Sequence, residues 1–461
     1  MPARAKKLHW SLGLTCFALS ALLACTAEAP SDMASEKGGG GGDGDDVVAK
    51  IPGSSGAPAT PTSTGLPCDV DNVLKTRCQT CHAAETRYGA SVPLVTHDDL
   101  AKAGAGGKKI YEMVAGRIKD AARPMPPSPN ALLTAAESKT LEGWIAGGAK
   151  ASAEKCTSDK PADDVKPLNC TPDTTLKGTA KYTMPQGVLD EYVCVGIDVN
   201  LNAKKHITAL APHLDNKTIL HHILLFQSNK AESPTPTPCA AFGSAAWKLV
   251  AGWAPGGDNL ELPPEAGIPE EKGVTHWVIQ LHYNNAKNLA GQTDQSGYDL
   301  CTTDKLRTND AGVVAFGSTK FSIPPRSTTT IKCDYKLPAT FKDVKLFNAS
   351  PHMHTRGTAM STERLAGGTG APEVIHASPN FLFENQANFP IKKEVQPGDV
   401  MRTRCTWKNP TDTAMGFGEA TGDEMCFDFL SYYPAIPDRT IFGLPLFTWI
   451  TPSQSATCTP E

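Results

Sequence analysis

From about residue 169 to the C-terminus, short runs of alternating apolar and polar residues are repeatedly broken by Gly, Pro, Asn and Asp, and no other feature limits the fold as strongly. Val193, Val195, Ile197, Val199 and Leu201 fall on one face of an extended segment, and Val274 to Tyr283 reads as a second strand. Side chains of a strand alternate between two faces, so period two marks half-buried strands where period 3.6 would mark helices. Many short strands with turn signals between them predict antiparallel β-sandwiches, and the stretch is long enough for two. The expected fold class is therefore mainly β, with two jelly-roll-like sandwiches at 169–311 and 312–461 that meet near Ala311.

A different pattern precedes them. Between Cys68 and Cys156 the spacing is helical, clearest where Thr134 opens an apolar-periodic run that Gly147 and Gly148 stop. A small all-α domain is expected over 67–156. Residues 25–66, rich in Gly, Ser, Pro and Thr and containing the run Gly38 to Gly42, cannot bury enough apolar area to fold and read as a flexible linker. A second polar linker spans 157–168.

Arg4, Lys6 and Lys7 precede an apolar run from Ser11 to Ala24 that ends in Leu22-Leu23-Ala24-Cys25. The run is short for a membrane-spanning helix, which needs roughly 20 apolar residues, and its zones are those of an export signal. A cysteine directly after Leu-Leu-Ala resembles a bacterial lipoprotein signal, which implies cleavage after residue 24, a lipid anchor at Cys25 and a place in the cell envelope. The other reading, an ordinary signal peptide, exports the chain equally. Without residues 1–24, Lys plus Arg falls from 44 to 41 against 48 Asp plus Glu, a net of −7 that argues against nucleic-acid partners. Of the 14 cysteines, Cys68, Cys156, Cys170, Cys194, Cys239, Cys301, Cys333, Cys405, Cys426 and Cys458 remain for pairing, an even number suited to an oxidising compartment.

Cys78-Gln79-Thr80-Cys81-His82 has the spacing of a c-type haem attachment site, in which two thiols add to the haem vinyl groups and the next histidine becomes an axial ligand. The second axial ligand is expected downstream. Met125, in the Pro-stiffened run Arg123-Pro124-Met125-Pro126-Pro127, is the leading choice, with Met113 its competitor and His97 a weaker alternative. The segment resembles a class I cytochrome c, down to the C-terminal helix with Leu141, Trp144 and Ile145. That resemblance implies His/Met ligation of one haem c and an electron-transfer role.

Histidines concentrate in three stretches of the β region: Leu220-His221-His222-Ile223, Gln280-Leu281-His282-Tyr283 and Pro351-His352-Met353-His354. On a strand, His352 and His354 leave the same face and can grip one ion, whereas adjacent His221 and His222 do so only with a twist or bulge, or through different ring nitrogens. His276 reads as a packed or supporting residue, and His206, His213 and His376 read as surface positions.

The three stretches in this order, followed by Thr421-Gly422-Asp423-Glu424-Met425-Cys426, resemble the copper type II, ascorbate-dependent monooxygenases over roughly Cys170 to Cys458. The resemblance implies two copper ions, one held by His221, His222 and His282, the other by His352, His354 and Met425, where dioxygen is activated and a substrate C–H bond attacked. Ligand softness agrees, since a thioether favours Cu(I), the state that meets dioxygen. It also implies the disulfides Cys170 with Cys301, Cys194 with Cys239, Cys333 with Cys458 and Cys405 with Cys426. Cys68 and Cys156 then remain, bracketing the helical segment like a clip.

Ser350 stands where peptide-amidating members carry arginine, and Phe427 and Phe429 replace their asparagine and tyrosine, which argues for a small organic substrate in an apolar pocket; the alternative is that both phenylalanines are core. The expected activity is hydroxylation of a small molecule with dioxygen, with electrons from ascorbate, a quinol or a cytochrome and delivery by the fused haem domain. The alternative is a copper and haem electron carrier that turns over no organic substrate; oxygen uptake coupled to product separates the two.

Overall fold

The computed structural model describes residues 63–461 except 121–122, 128–129, 157–164, 240–246, 384–386, 419–422, 437–438, 442–443 and 447–450. The signal at 1–24, the anchor Cys25 and most of both linkers lie outside the described residues. Helices α1 (Cys68–Arg77), α2 (His97–Ala101), α3 (Ile110–Arg117) and α4 (Ala135–Ala146) come first. At the start of α4 the Thr134 hydroxyl accepts from the Glu137 N–H while the Glu137 carboxylate accepts from the Thr134 N–H, a reciprocal cap that satisfies two otherwise orphaned donors. Leu74, Leu100, Ile110 and Leu141 form the helical core together with Leu66, which the sequence assigned to the linker. Cys68 and Cys156 are joined, closing the segment. Among the described residues no helix is long and apolar enough to cross a membrane.

The remainder is mostly antiparallel sheet, as the alternation predicted. In the first half, β1 (Asp190–Leu201), β2 (Lys205–His213), β3 (Leu220–Ser228), β4 (Lys248–Trp253), β5 (Gly273–Asn284) and β6 (Gly297–Thr303) build two sheets. One runs β1, β5, β3, β4, with the short strand Thr237–Pro238 outside β1; the other centres on β6 and β2. Val193, Val195, Leu225 and Ile279 from the first sheet meet Ile207, Leu210, Tyr298 and Leu300 from the second in one core.

A second pair of sheets follows Ala311: β7 (Gly312–Gly317), β8 (Ser327–Lys336), β9 (Val344–His352), β10 (Gly357–Leu365), β11 (Phe389–Val395), β12 (Val400–Asn409) and β13 (Phe427–Tyr433). One sheet has the order β7, β13, β9, β11, and β10, β12 and β8 are consecutive in the other. Strand β12 shows the alternation cleanly, with Met401, Thr403, Cys405 and Trp407 buried and the residues between them half-buried. The outer face of the β1–β5–β3 sheet, carrying Cys194, Leu224, Phe226 and Val278, packs on Ala315, Met425, Phe427 and Phe429, so an apolar layer joins the two halves.

All four disulfides implied for the β region are formed. Cys405 on β12 holds Cys426, the residue after Met425, and closes a loop with a sequence separation of 21. By chain-entropy reasoning a loop of that size contributes about 3 kcal/mol. Replacing both cysteines with serine is expected to lower unfolding stability by about that amount in a denaturant titration.

Candidate metal centres

His282 lies on β5 and His222 directly opposite on β3, while the next pair along the ladder is Tyr283 with Leu220. The register therefore skips His221, which sits in a bulge. A bulge turns the extra residue out of strict alternation, and that is how two neighbouring histidines come to face one point. The Nδ1 atoms of His221 and His282 lie 3.5 and 3.3 Å from Nδ1 of His222. Donors each about 2 Å from one ion stand about 3 Å apart at near-tetrahedral angles, so the spacing fits a single metal.

The surroundings hold these rings ready. His282 turns its other nitrogen, Nε2, to the Asp190 carboxylate at 3.2 Å, which fixes the ring with Nδ1 inward. Tyr192 stacks on His282 with centroids 4.2 Å apart and planes 3° from parallel. Enclosure by protein atoms, and then the neighbouring His282, push His221 down to about 3. The ring is thus neutral near pH 7, the form that binds metals.

His352 ends β9, paired with Phe427 of β13, and His354 lies two residues on, past the strand end. The expectation of two rings leaving one strand face is met differently: the rings are fully buried, 5.3 Å apart and nearly perpendicular at 89°. Met353 between them points into the core of the second half. The Nδ1–H of His354 donates to the Asp423 carbonyl at 3.0 Å, leaving Nε2 as its donor atom toward a metal. Met425, fully buried, lies two residues before Phe427 and so close to the end of β9.

Glu424 organises this second group. Its carboxylate accepts from the backbone N–H of His354 at 3.0 Å, Arg356 at 2.7 Å and Met425 at 3.3 Å, and from the Trp407 indole N–H at 3.0 Å. Burial pushes Glu424 up to about 7 against the lowering effect of those four donors. One side chain thus ties the His354 segment to the Met425 segment. The sequence reading passed over Glu424 and Asp190. An acid directly before the apolar run that Met425 opens was a usable signal for the first; Asp190, far upstream of His282, offered none.

Phe427 and Phe429 are core residues of the apolar layer, at 0% and 1% exposure, with the Phe429 ring 6.2 Å from His352. Ser350 is buried and donates to Asn388. The surface reading of two histidines is corrected: His206 is 1% exposed and 2.8 Å from Asp310, and His376 is 6% exposed and 3.3 Å from Asp428. Their acidic partners are distant in sequence, so nothing local announced the burial. His213 is half-buried beside Asp299, and Nδ1 of His276 lies 2.7 Å from the Asp198 carboxylate. None of these four belongs to either group.

In the helical segment Cys78 caps the end of α1 and Cys81 follows it, and no disulfide joins them. The Nδ1–H of His82 donates to the Val92 carbonyl at 2.7 Å, which leaves Nε2 as the donor atom. Burial lowers the His82 pKa. Of the possible second ligands, His97 uses Nε2 on the Ala149 carbonyl, and Met113 packs against Gly104 and the helical core. Met125 is half-buried and belongs to no apolar cluster among the described residues.

The chain is similar to known proteins throughout the β region. Residues 179–290 match the family description "Copper type II ascorbate-dependent monooxygenase, N-terminal domain" and residues 309–442 its C-terminal domain, together more than half of the sequence. Mouse DBH-like monooxygenase protein 2 is 29% identical over 56% of this chain and 46% of its own length. Dopamine beta-hydroxylase of Canis lupus familiaris is 30% identical over 50% of this chain and 41% of its own. Tyramine beta-hydroxylase of Caenorhabditis briggsae is 27% identical over 50% and 43%. The chain spans about half the length of the curated relatives it matches. With both domain descriptions matched in order over the two histidine-bearing halves, the chain belongs to the copper type II, ascorbate-dependent monooxygenase family.

Proposed function

We propose that this protein is an exported copper monooxygenase that hydroxylates a C–H bond of a small organic substrate with dioxygen. The observation that carries the reading is the convergence of the His221, His222 and His282 Nδ1 atoms on one point. Copper bound by that set and by His352, His354 and Met425 would supply one-electron redox chemistry and dioxygen activation.

The chain's own residues prepare both sets. Asp190 orients His282, and the Asp423 carbonyl orients His354. Glu424 fixes the backbone that presents His354 and Met425. Phe427 and Phe429, with Leu224, Phe226 and Val278, line the layer beside the second set and exclude water from it. Ser350 offers no cation to a carboxylate, and burying an unpaired charge is costly, so a neutral substrate is favoured over a peptide acid.

Cys78, Cys81 and His82 would hold one covalent haem, with Met125 as second axial ligand. The Val92 bond that leaves His82 Nε2 as a donor atom supports the first, and the other engagements of His97 and Met113 support the second. Such a group is a one-electron carrier, and we assign it to electron delivery in place of, or beside, ascorbate. The five disulfides among the described residues suit an oxidising compartment, and the signal at 1–24 with Cys25 supports a lipid-anchored protein of the bacterial cell envelope.

Metal analysis of the purified, copper-loaded protein is expected to give two coppers per chain, and one after His354→Ala; zinc retained with no copper would reject the reading. Met425→Ile, nearly volume-conserving and so costing less than about 1.5 kcal/mol, is expected to abolish incorporation of oxygen-18 from labelled dioxygen into product while the three-histidine copper stays. Asp190→Asn is expected to weaken that copper about 10- to 100-fold in a competition titration, the usual effect of losing a carboxylate behind a ligand. Replacing Cys78 and Cys81 with serine is expected to end turnover driven by a reduced cytochrome and to spare turnover driven by ascorbate.

A further inference from the structure

The helical segment does not merely hang from its linker. Tyr88, six residues past His82, is 5% exposed and belongs to the core of the first sandwich, with Ile219, Val250, Trp253 and Tyr283. Its ring meets Trp253 edge-on, centroids 5.9 Å apart. The Tyr88 N–H donates to the Lys217 carbonyl at 2.8 Å. Tyr88 and Gly89 have φ of +53° and +76°, and a Cβ on Gly89 would fall 2.7 Å from Asn284. The turn is therefore pressed against the end of β5, two residues beyond His282.

A second contact lies five residues past Met125. The Asn130 amide donates to the Pro255 carbonyl at 2.9 Å and sits over Gly256, where a Cβ would be 2.1 Å from its oxygen. Cys81 also packs at the edge of the same core. The two loops anchored on the sandwich are thus those that follow the two axial-ligand candidates. Trp253, which receives Tyr88, pairs across the ladder with Ile223, the neighbour of His222.

We propose that Tyr88 and Asn130 form a clamp that holds the haem-bearing face of the helical segment on the first sandwich, so that electrons enter the copper domains at the three-histidine set. This rests on the haem and copper reading above. In the step, ferrous haem loses one electron and becomes ferric, and Cu(II) at that set becomes Cu(I); no bond forms or breaks and no proton moves. An external one-electron donor, ascorbate or a reduced cytochrome, restores ferrous haem. Tyr88 and Asn130 are positioning residues. A linker alone would hold the haem nearby only at about millimolar effective concentration, whereas a clamp fixes distance and orientation.

The test uses the full-length holoprotein under anaerobic conditions, with copper oxidised and the haem reduced by a flash-generated one-electron donor. Reoxidation of the haem is followed by its absorbance and Cu(I) formation by loss of the Cu(II) electron paramagnetic resonance signal. The wild type and Tyr88→Phe are expected to transfer in a single phase. Tyr88→Ala is expected to slow the phase about tenfold or more, with haem and copper contents and ascorbate-driven turnover unchanged, and Asn130→Ala to slow it less. The wild type is also expected to melt in one transition seen by haem absorbance and tryptophan fluorescence, and Tyr88→Ala to split it. Equal transfer rates in wild type, Tyr88→Ala and Asn130→Ala would overturn the clamp while leaving haem-to-copper delivery standing. Absence of haem reoxidation in the wild type would overturn the delivery reading, and the clamp's purpose with it.

Discussion

One extra residue in one strand carries the first candidate copper site. Without the skip at His221, the ladder between β3 and β5 would send His221 and His222 to opposite faces, one into the sandwich core and one toward the second half. The bulge brings both round to His282, so that three imidazoles share one point. Asp190 behind His282 and Tyr192 across its face then limit how the third ring can turn. The remaining features of that half, its long paired strands and its Cys194–Cys239 bond, keep β1, β5 and β3 in the register on which the bulge depends.

The second group is built on other principles. Its ligand candidates come from two chain segments, the end of β9 and the run before β13, and what joins them is a buried carboxylate and a disulfide. Four N–H groups converge on Glu424, and Cys426 is tied to β12. A flexible thioether is a poor anchor for itself; here its backbone is fixed from both sides. The same layer that buries Met425 contacts the first sandwich, so the two halves are held with their candidate sites on facing sides.

Much of this was legible in the sequence because it is local. Alternation from Val193 to Leu201, the apolar run from Val274 to Tyr283, the helix start at Thr134 and the stop at Gly147 each lie within a dozen residues, and the elements formed where those signals placed them. The grouping of His221, His222 and His282 was legible through motif and resemblance, and of the routes open to the adjacent pair, a twist, a bulge or different ring nitrogens, the fold uses a bulge. What escaped depends on pairings between distant residues: Asp190 with His282, Asp310 with His206, Asp428 with His376, Tyr88 with Trp253. A histidine flanked by polar residues carries no local mark of the carboxylate that will bury it. Phe427 and Phe429 looked like pocket walls or core with equal right, and only the packing of two halves against each other decides for core.

In the proposed function the three Nδ1 atoms of His221, His222 and His282 hold one copper. Anomalous diffraction from crystals of the copper-loaded protein, recorded on both sides of the copper absorption edge, tests it directly. A copper peak about 2 Å from each of these three atoms is the expected result. A peak bound through their Nε2 atoms, or no copper peak within reach of the three rings, would contradict it.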